Sequence, residues 1–238
     1  MRTSRRAHGS PYRRMATEHA RAADWASAAA AREPSASEWS TTSDTLAAAR
    51  LEMARTPVDD WLIEVAADLL PGKALDLGCG AGQDSLWLAQ RGWTVTAVDP
   101  SADAIAEARH AAAAVGVAIV FRVADIAAWR PTSRYDLVVL TFALPARGMG
   151  RSRALEMAAS AVAPGGLILL TELDISLGSE GWMAEKHLVS REELERHLDG
   201  FRVNRSVTRV ARHRHGYEER FLPVASVVAT RRTDLRTL

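Results

Sequence analysis

KALDLGCGAGQDSLWLAQRGWTVTAVDP, residues 73–100, decides the fold. Ala74-Leu75-Asp76-Leu77 is a short apolar run of the kind buried in a parallel sheet. Gly78, Gly80 and Gly82 follow at alternate positions. A helical pattern then runs from Gln83 to Gln90, with Leu86 and Ala89 three apart, and Arg91-Gly92 closes it with glycine at the left-handed cap. A second apolar run, Trp93 to Val98, ends on Asp99. Strand, glycine loop, helix, strand and acid in this order are the sequence form of a βαβ unit. Such a unit holds a nucleoside-bearing cofactor at the carboxyl ends of its strands.

The residue types fit that chemistry. Glycine lets the backbone approach a ligand and take positive φ where a side chain would forbid it. Asp99, at the tip of the second strand, can accept two hydrogen bonds from a ribose diol. A dinucleotide fingerprint, G-x-G-x-x-G, would need glycine at position 83, and this chain has Gln83. The pattern is instead Asp76-x-Gly78-x-Gly80-x-Gly82, with the acid inside the first strand. It resembles motif I of the class I S-adenosylmethionine (SAM) methyltransferases, and Asp99 matches that family's ribose-binding acid. A glycine-rich turn serving packing alone is the competing reading; loop, acid and strand context together weigh against it.

With 238 residues and a 47% hydrophobic share, the natural organisation is one α/β domain with a modest appendage. A net charge of +1 argues against a general polyanion binder. Basic residues gather near the ends (Arg2, Arg5, Arg6, Arg13, Arg14 and Arg209, Arg212, His213, Arg214, His215), where solvated faces or tails account for them. Cys79 is the only cysteine, so no internal disulfide can form, and it reads as a small loop residue. No apolar run approaches the ~18 residues of a membrane span. The arginine-rich start lacks an apolar stretch of signal type. The expectation is a cytoplasmic protein with no membrane and no nucleic-acid partner, a small-molecule acceptor as substrate, and a homodimer as the assembly allowed for.

Along the chain, residues 1–20 read as a basic disordered tail and 21–56 as a helical lid segment carrying Trp25 and Trp39. Residues 57–238 read as the cofactor-binding domain. Helix is expected from Pro57 to Leu69, with Trp61, Val65 and Leu69 on one face. After Asp99, Pro100-Ser101 caps a helix from Ala102 to Ala114. Strands are expected at Val117–Val123, Asp136–Thr141 and Leu167–Thr171, with a helix at Arg151–Val162. Ala163-Pro164-Gly165-Gly166 reads as a tight turn. Arg191–Leu198 reads as a short helix, and Phe201–Arg212 with Phe221–Thr230 as a hairpin about His215-Gly216. The whole is a doubly wound, Rossmann-like, mostly parallel seven-stranded sheet with an antiparallel C-terminal hairpin.

The resemblance implies a set of cofactor residues. Around the loop these are Asp76, Gly78, Cys79, Gly80, Gly82, Asp84, Asp99 and Pro100. Asp125 and Ile126, beyond the third strand, match the family's adenine contacts, although Asp125 also suits a helix N-cap. Thr141 and Phe142 end the fourth strand, and Trp39 would reach over from the N-terminal segment. The Asn/Asp-Pro-Pro-Tyr/Phe motif of amino-methylating nucleic-acid enzymes is absent at Thr141-Phe142-Ala143-Leu144-Pro145. The stretch 87–99 and the terminal hairpin resemble the tellurite-resistance-type and thiopurine-type small-molecule methyltransferases. That likeness implies methyl transfer to a thiol, selenol, metalloid or phenolic hydroxyl. Glu172, Asp174 and His187 are the candidates for acceptor chemistry, with His215 as a fourth. The other functions weighed are a non-catalytic SAM-binding sensor or assembly subunit and, disfavoured by Gln83, an NAD-dependent oxidoreductase.

Overall fold

The structure is a computed structural model that describes residues 58–177, 185–215 and 218–233. The expected basic tail, the lid segment with Trp25 and Trp39, and Pro57 lie outside the described residues. Seven strands form one sheet: β1 (Lys73–Leu77), β2 (Thr94–Asp99), β3 (Ile119–Val123), β4 (Tyr135–Thr141), β5 (Val162–Leu173), β6 (Phe201–His215) and β7 (Glu218–Arg231). Their order across the sheet is β3-β2-β1-β4-β5-β7-β6. The first five are parallel, while β7 runs antiparallel to both β5 and β6. The chain reverses direction across the sheet between β1 and β4, so the carboxyl ends of those strands open the crevice where such folds bind ligands.

Helices α1 (Asp60–Ala66), α2 (Gln83–Gln90), α3 (Ala102–Ala114), α4 (Met149–Ala161) and α5 (Arg191–Glu195) accompany the strands. Their ends follow local chemistry. The Ser101 hydroxyl accepts from the Ala104 amide at 3.2 Å, and Ser190 caps α5 in the same way. Gly92, at φ +86°, terminates α2 in the left-handed conformation expected from the sequence. Helix α1 is shorter than the expected 57–69, and Asp59 caps it by accepting from the Trp61 amide. Trp61, Leu62, Trp87, Leu88 and Trp93 fill a core against Val95, Leu137, Val139 and Leu169. The larger core places Leu75, Leu77, Val138, Leu140, Ile168 and Leu170 under the apolar faces of α4 and α5. Central strands buried on both faces explain why β1, β4 and β5 read as continuous apolar runs.

One expectation needs correction. Ala163–Gly166 is not a free-standing turn before β5 but part of it. Tyr135 pairs with Val162 and Leu137 with Leu167, so the four residues between them bulge from the β4–β5 ladder. A Cβ on Gly166 would lie 3.0 Å from the carbonyl oxygens of Tyr135, Asp136 and Ala163, which is why only glycine closes the bulge. The hairpin also runs longer than read, because its ladder pairs residues from Phe201↔Arg231 to His215↔Glu218. Among the described residues, no helix is long and apolar enough to cross a membrane.

Candidate functional site

The loop between β1 and α2 is a cradle built from backbone. The Gly78 and Cys79 amides both donate to the Val98 carbonyl, at 2.7 and 3.1 Å, which ties the loop to β2. Gly78, Gly80 and Gly82 all take positive φ, +74°, +51° and +88°. A Cβ at Gly78 would fall 2.1 Å from the Ala143 Cβ, and one at Gly82 would fall 2.9 Å from that of Ala108. A Cβ at Gly80 would meet nothing within 4 Å. Two glycines therefore serve close packing, and the middle one borders open space.

Asp99 closes the cradle from the tip of β2. Its carboxylate accepts the Gly80 amide at 2.9 Å and the Ser101 amide at 2.8 Å, one on each oxygen. A carboxylate offers about four acceptor positions, so capacity for a diol is left. Pro100, next to it, is exposed, and the buried Cys79 packs with Ile105, Ala108 and Phe121. Burial and the nearby Asp76 and Asp99 charges push the Cys79 thiol far above its ordinary range. It is a packing residue with no thiolate to offer.

Beneath the cradle lies a crowded carboxyl field. Asp76 is buried and accepts the Ser85 hydroxyl at 2.6 Å, joining β1 to the first turn of α2. Burial raises its pKa to about 6, with the Asp99 charge adding to the rise. Burial, followed by the charges of Asp76 and Asp59, raises Asp84 to about 8. The Asp84 carboxyl accepts the Asp59 amide at 3.2 Å, and Asp59 is itself paired with Arg209 at 2.6 Å. Thr141 lies close enough to ease the Asp84 charge, yet its hydroxyl completes no hydrogen bond. Among the described residues, Thr141 Oγ1, Asp59 Oδ2 and Trp61 Nε1 are the buried side-chain polar atoms without a partner.

The opposite wall is made by side chains. Phe142, at φ +52°, is the only non-glycine residue with positive φ among those described, and its amide donates to the Thr171 carbonyl. Holding such a conformation costs roughly 1–3 kcal/mol and needs support from its surroundings. Glu172 supplies some of it, since one carboxyl oxygen accepts both the Ala143 and Leu144 amides at 2.7 Å. Burial raises Glu172 to about 7 against the opposing pull of those amides and of Arg151. Asp174 is also buried, accepting the Ser176 amide at 2.8 Å and the Thr208 hydroxyl at 3.2 Å. Both carboxyl groups thus carry structural bonds that the sequence did not reveal. His187 is half-buried in a 3₁₀ turn, Glu185–His187, and the side chain of His215 lies outside the described residues.

Asp125 is exposed, and its carboxyl accepts the Ala127 amide at 2.9 Å, so it caps a turn and not a helix. Ile126 is buried, and Trp129 packs against the large core. Trp39 lies outside the described residues. The structure brings the motif loop, Asp99, Thr141 and Phe142 to one crevice. Sequence reading missed Arg151 and Asp59 and took Arg209 for part of a solvated basic cluster, whereas it is half-buried and paired with Asp59; the partners of all three are distant in the chain. Among the described residues, no three side chains form a metal-binding group.

Residues 74–166 match the family described as Methyltransferase domain. Over 86 residues the chain is 33% identical to the probable S-adenosyl-L-methionine-dependent methyltransferase TehB of Haemophilus influenzae, covering 36% of this chain and 30% of that protein. A shorter match, 49% over 47 residues, is to ribosomal RNA small subunit methyltransferase C of Alcanivorax borkumensis, and covers 20% and 14%. The matched stretches cover less than a third of the length of either relative. The solved structure of TehB from H. influenzae has a TM-score of 0.64 at 20% identity, covering 75% of this chain and 63% of that one. The N-methyltransferase NodS of Bradyrhizobium japonicum, in complex with S-adenosyl-L-homocysteine, has a TM-score of 0.58 at 18% identity, covering 72% and 84%. These structural likenesses establish the fold, and the matched domain spans the motif loop, Asp99 and Asp125. Residues 74–166 thus carry the match to a methyltransferase domain, on the Rossmann-like fold that the chain shares with the TehB and NodS structures.

Proposed function

We propose that this protein transfers the methyl group of SAM to a small molecule whose acceptor atom is a thiol, selenol or metalloid centre or a phenolic hydroxyl. The observation that carries the cofactor half is the cradle itself: open space at Gly80 beside an Asp99 carboxylate that keeps free acceptor capacity. Asp99 would hold the ribose, the Gly78–Gly80 backbone the amino-acid portion, and Asp125 with Ile126 the adenine. The crowded Asp76, Asp84 and Asp99 carboxyls favour a ligand bearing positive charge, because a cation would offset the burial that chiefly raises Asp76 and Asp84 and the neighbouring charges that add to the rise. The buried Thr141 hydroxyl, which completes no hydrogen bond, adds a further polar group beside these carboxyls. Bound SAM supplies an electrophilic methyl on a sulfonium.

What the chain's own residues contribute on the acceptor side is alignment and exclusion of water. Phe142, Ala143 and Leu144 present an apolar loop, and Glu172 is committed to holding it. An acceptor that ionises easily needs an aligned approach at about 3 Å more than a strong base. Single replacements at Glu172, Asp174 or His187 should each lower kcat by less than roughly 10³-fold. The deciding experiment screens thiols, phenols and metalloid oxyanions for S-adenosylhomocysteine formation, with Asp99→Ala as the cofactor-binding control. SAM binding without product from any acceptor would favour the binding-only alternative. Preferential nicotinamide binding would overturn the cofactor assignment.

A further inference from the structure

Arg151 sits in the first turn of α4 and is only 2% exposed. A cation there opposes the helix dipole, and no acidic residue in that turn offsets it. Its placement therefore does not serve the helix. Four of the five guanidinium donors are used. Nε donates to the Pro145 carbonyl at 2.9 Å, and Nη2 to the Lys186 carbonyl at 2.7 Å. Nη1 reaches both the Leu188 carbonyl at 2.9 Å and Glu193 at 3.2 Å. The Arg147 amide adds a bond to the same Lys186 carbonyl at 2.7 Å. The two carbonyls held beyond α4 are those on either side of His187. The carbonyl held before it ends the loop whose Ala143 and Leu144 amides rest on Glu172.

We propose that Arg151 is the positioning residue of the acceptor side of the crevice. One guanidinium sets the loop after β4 and the turn bearing His187 in a single register. The geometry stands by itself; the consequence for catalysis rests on the methyl-transfer reading above. A planar, rigid fork is what the arrangement needs, since three carbonyls approach it from two separate segments. A lysine ammonium has three donors on a compact head and cannot span them. Glu193 only completes the charge balance, so its loss should leave the three carbonyl bonds standing.

The test compares wild type, Arg151→Lys and Glu193→Gln. Amide hydrogen exchange is followed residue by residue, alongside S-adenosylhomocysteine affinity and methyl transfer to 4-mercaptobenzoate as a probe thiol. In Arg151→Lys, exchange at Ala143, Leu144 and Arg147 should quicken about tenfold or more, the scale of one lost bond to a charged group. Its kcat/KM for the thiol should fall at least about tenfold, while S-adenosylhomocysteine affinity holds within about threefold. Glu193→Gln should leave those three amides within about twofold of wild type. Uniform acceleration across the sheet in both variants would reduce Arg151 to a core ion-pair partner and overturn the proposal. Unchanged exchange at the three amides in Arg151→Lys would also overturn it. Should that variant not fold, the wild-type Arg147 amide decides: exchange at the rate of a free loop amide rejects the clasp. If wild type methylates no acceptor, the methyl-transfer reading fails while the exchange data still judge Arg151.

Discussion

The two sides of the crevice are built by different means. The cradle under Asp99 is backbone: amides of Gly78 and Cys79 on the Val98 carbonyl, three glycines at positive φ, and one carboxylate gathering two more amides. The facing wall is held by buried ionisable side chains, Glu172 on the Ala143 and Leu144 amides and Arg151 on the Pro145, Lys186 and Leu188 carbonyls. A cofactor common to many enzymes can be gripped by main chain, which most substitutions leave unchanged. An acceptor pocket held by side chains can be re-aimed by a single replacement. The difference predicts that mutations in the cradle act on cofactor affinity and stability, and those in the wall act on acceptor use.

The sharpest way to break the comparison is a methyl group added at each of two glycines. Gly78→Ala puts a Cβ 2.1 Å from that of Ala143, at φ +74°, with both walls in contact there. Overpacking and left-handed strain together should cost roughly 2–5 kcal/mol of stability. Gly80→Ala meets no protein atom within 4 Å and should cost only the strain, roughly 1–2 kcal/mol. Its methyl would occupy the open space beside Gly80, however, and should weaken S-adenosylhomocysteine binding out of proportion to that loss. Urea unfolding and calorimetry of the pair measure both quantities. Equal stability losses with equal affinity losses would mean that the loop has no distinct packing and ligand faces.

Next in size is the pH response of the wall. Glu172 is raised by burial from 4.5 to about 7, so the folded state keeps its proton where the unfolded state has lost it. Its contribution to stability is fully present below about pH 4.5 and is lost as pH rises through 7, up to about 3 kcal/mol. Glu172→Gln keeps an oxygen for the Ala143 and Leu144 amides and removes the titration. The variant should therefore lose less stability than wild type between pH 4.5 and 7. Asp76 and Asp84, raised to about 6 and 8, slope the same way in both proteins. The difference between the two profiles is the readout. Parallel profiles would show that the folded carboxyl ionises as freely as the unfolded one.

How much of this was legible in the sequence follows from the same division. Glycine spacing, Asp76 and Asp99 lie within 24 residues of each other along the chain, so the cradle and its βαβ setting could be read directly. Helices α2 and α3 matched their expected bounds because Gly92 and Ser101 carry cap chemistry in their residue types. The wall could not be read. The Ala143–Glu172 and Arg151–Glu193 contacts join positions 29 and 42 apart, and no local pattern marks them. Glu172 and Asp174 looked like candidates for acceptor chemistry because they follow β5 at the crevice end. Only burial and their amide and hydroxyl donors reveal the structural work they do. The β5 bulge misled for a related reason: Pro-Gly-Gly signals a turn, and the ladder resumes on both sides of it.

A smaller effect is expected at Asp99. Replacement by alanine removes an acceptor from the Gly80 and Ser101 amides and from the proposed ribose contact. SAM affinity should fall by about 1.5–3 kcal/mol, the range for hydrogen bonds to a charged partner. Calorimetry that finds wild-type affinity would show that the main chain grips the cofactor without help from this acid. The cradle would then grip its ligand through backbone alone.

The smallest effect sharpens the comparison at the turn after β3. Asp125 is exposed and already accepts the Ala127 amide, while the Ala128 and Trp129 amides reach its carbonyl. Asp125→Ala should therefore cost about 0.5–1 kcal/mol of stability through the lost cap. Asp125→Asn keeps a side-chain oxygen for Ala127 and should cost almost none of it. The two variants separate the roles assigned to this residue. If the carboxylate also accepts from the cofactor's adenine amino group, an Asn side-chain oxygen can accept there too, although without the charge. Asp125→Asn should then weaken S-adenosylhomocysteine by less than about tenfold, and Asp125→Ala by more, since it loses both acceptor and turn. Equal affinities for all three proteins would confine Asp125 to the turn and leave adenine to the backbone and Ile126. That result would place the adenine end on the backbone side of the division, together with the glycine loop.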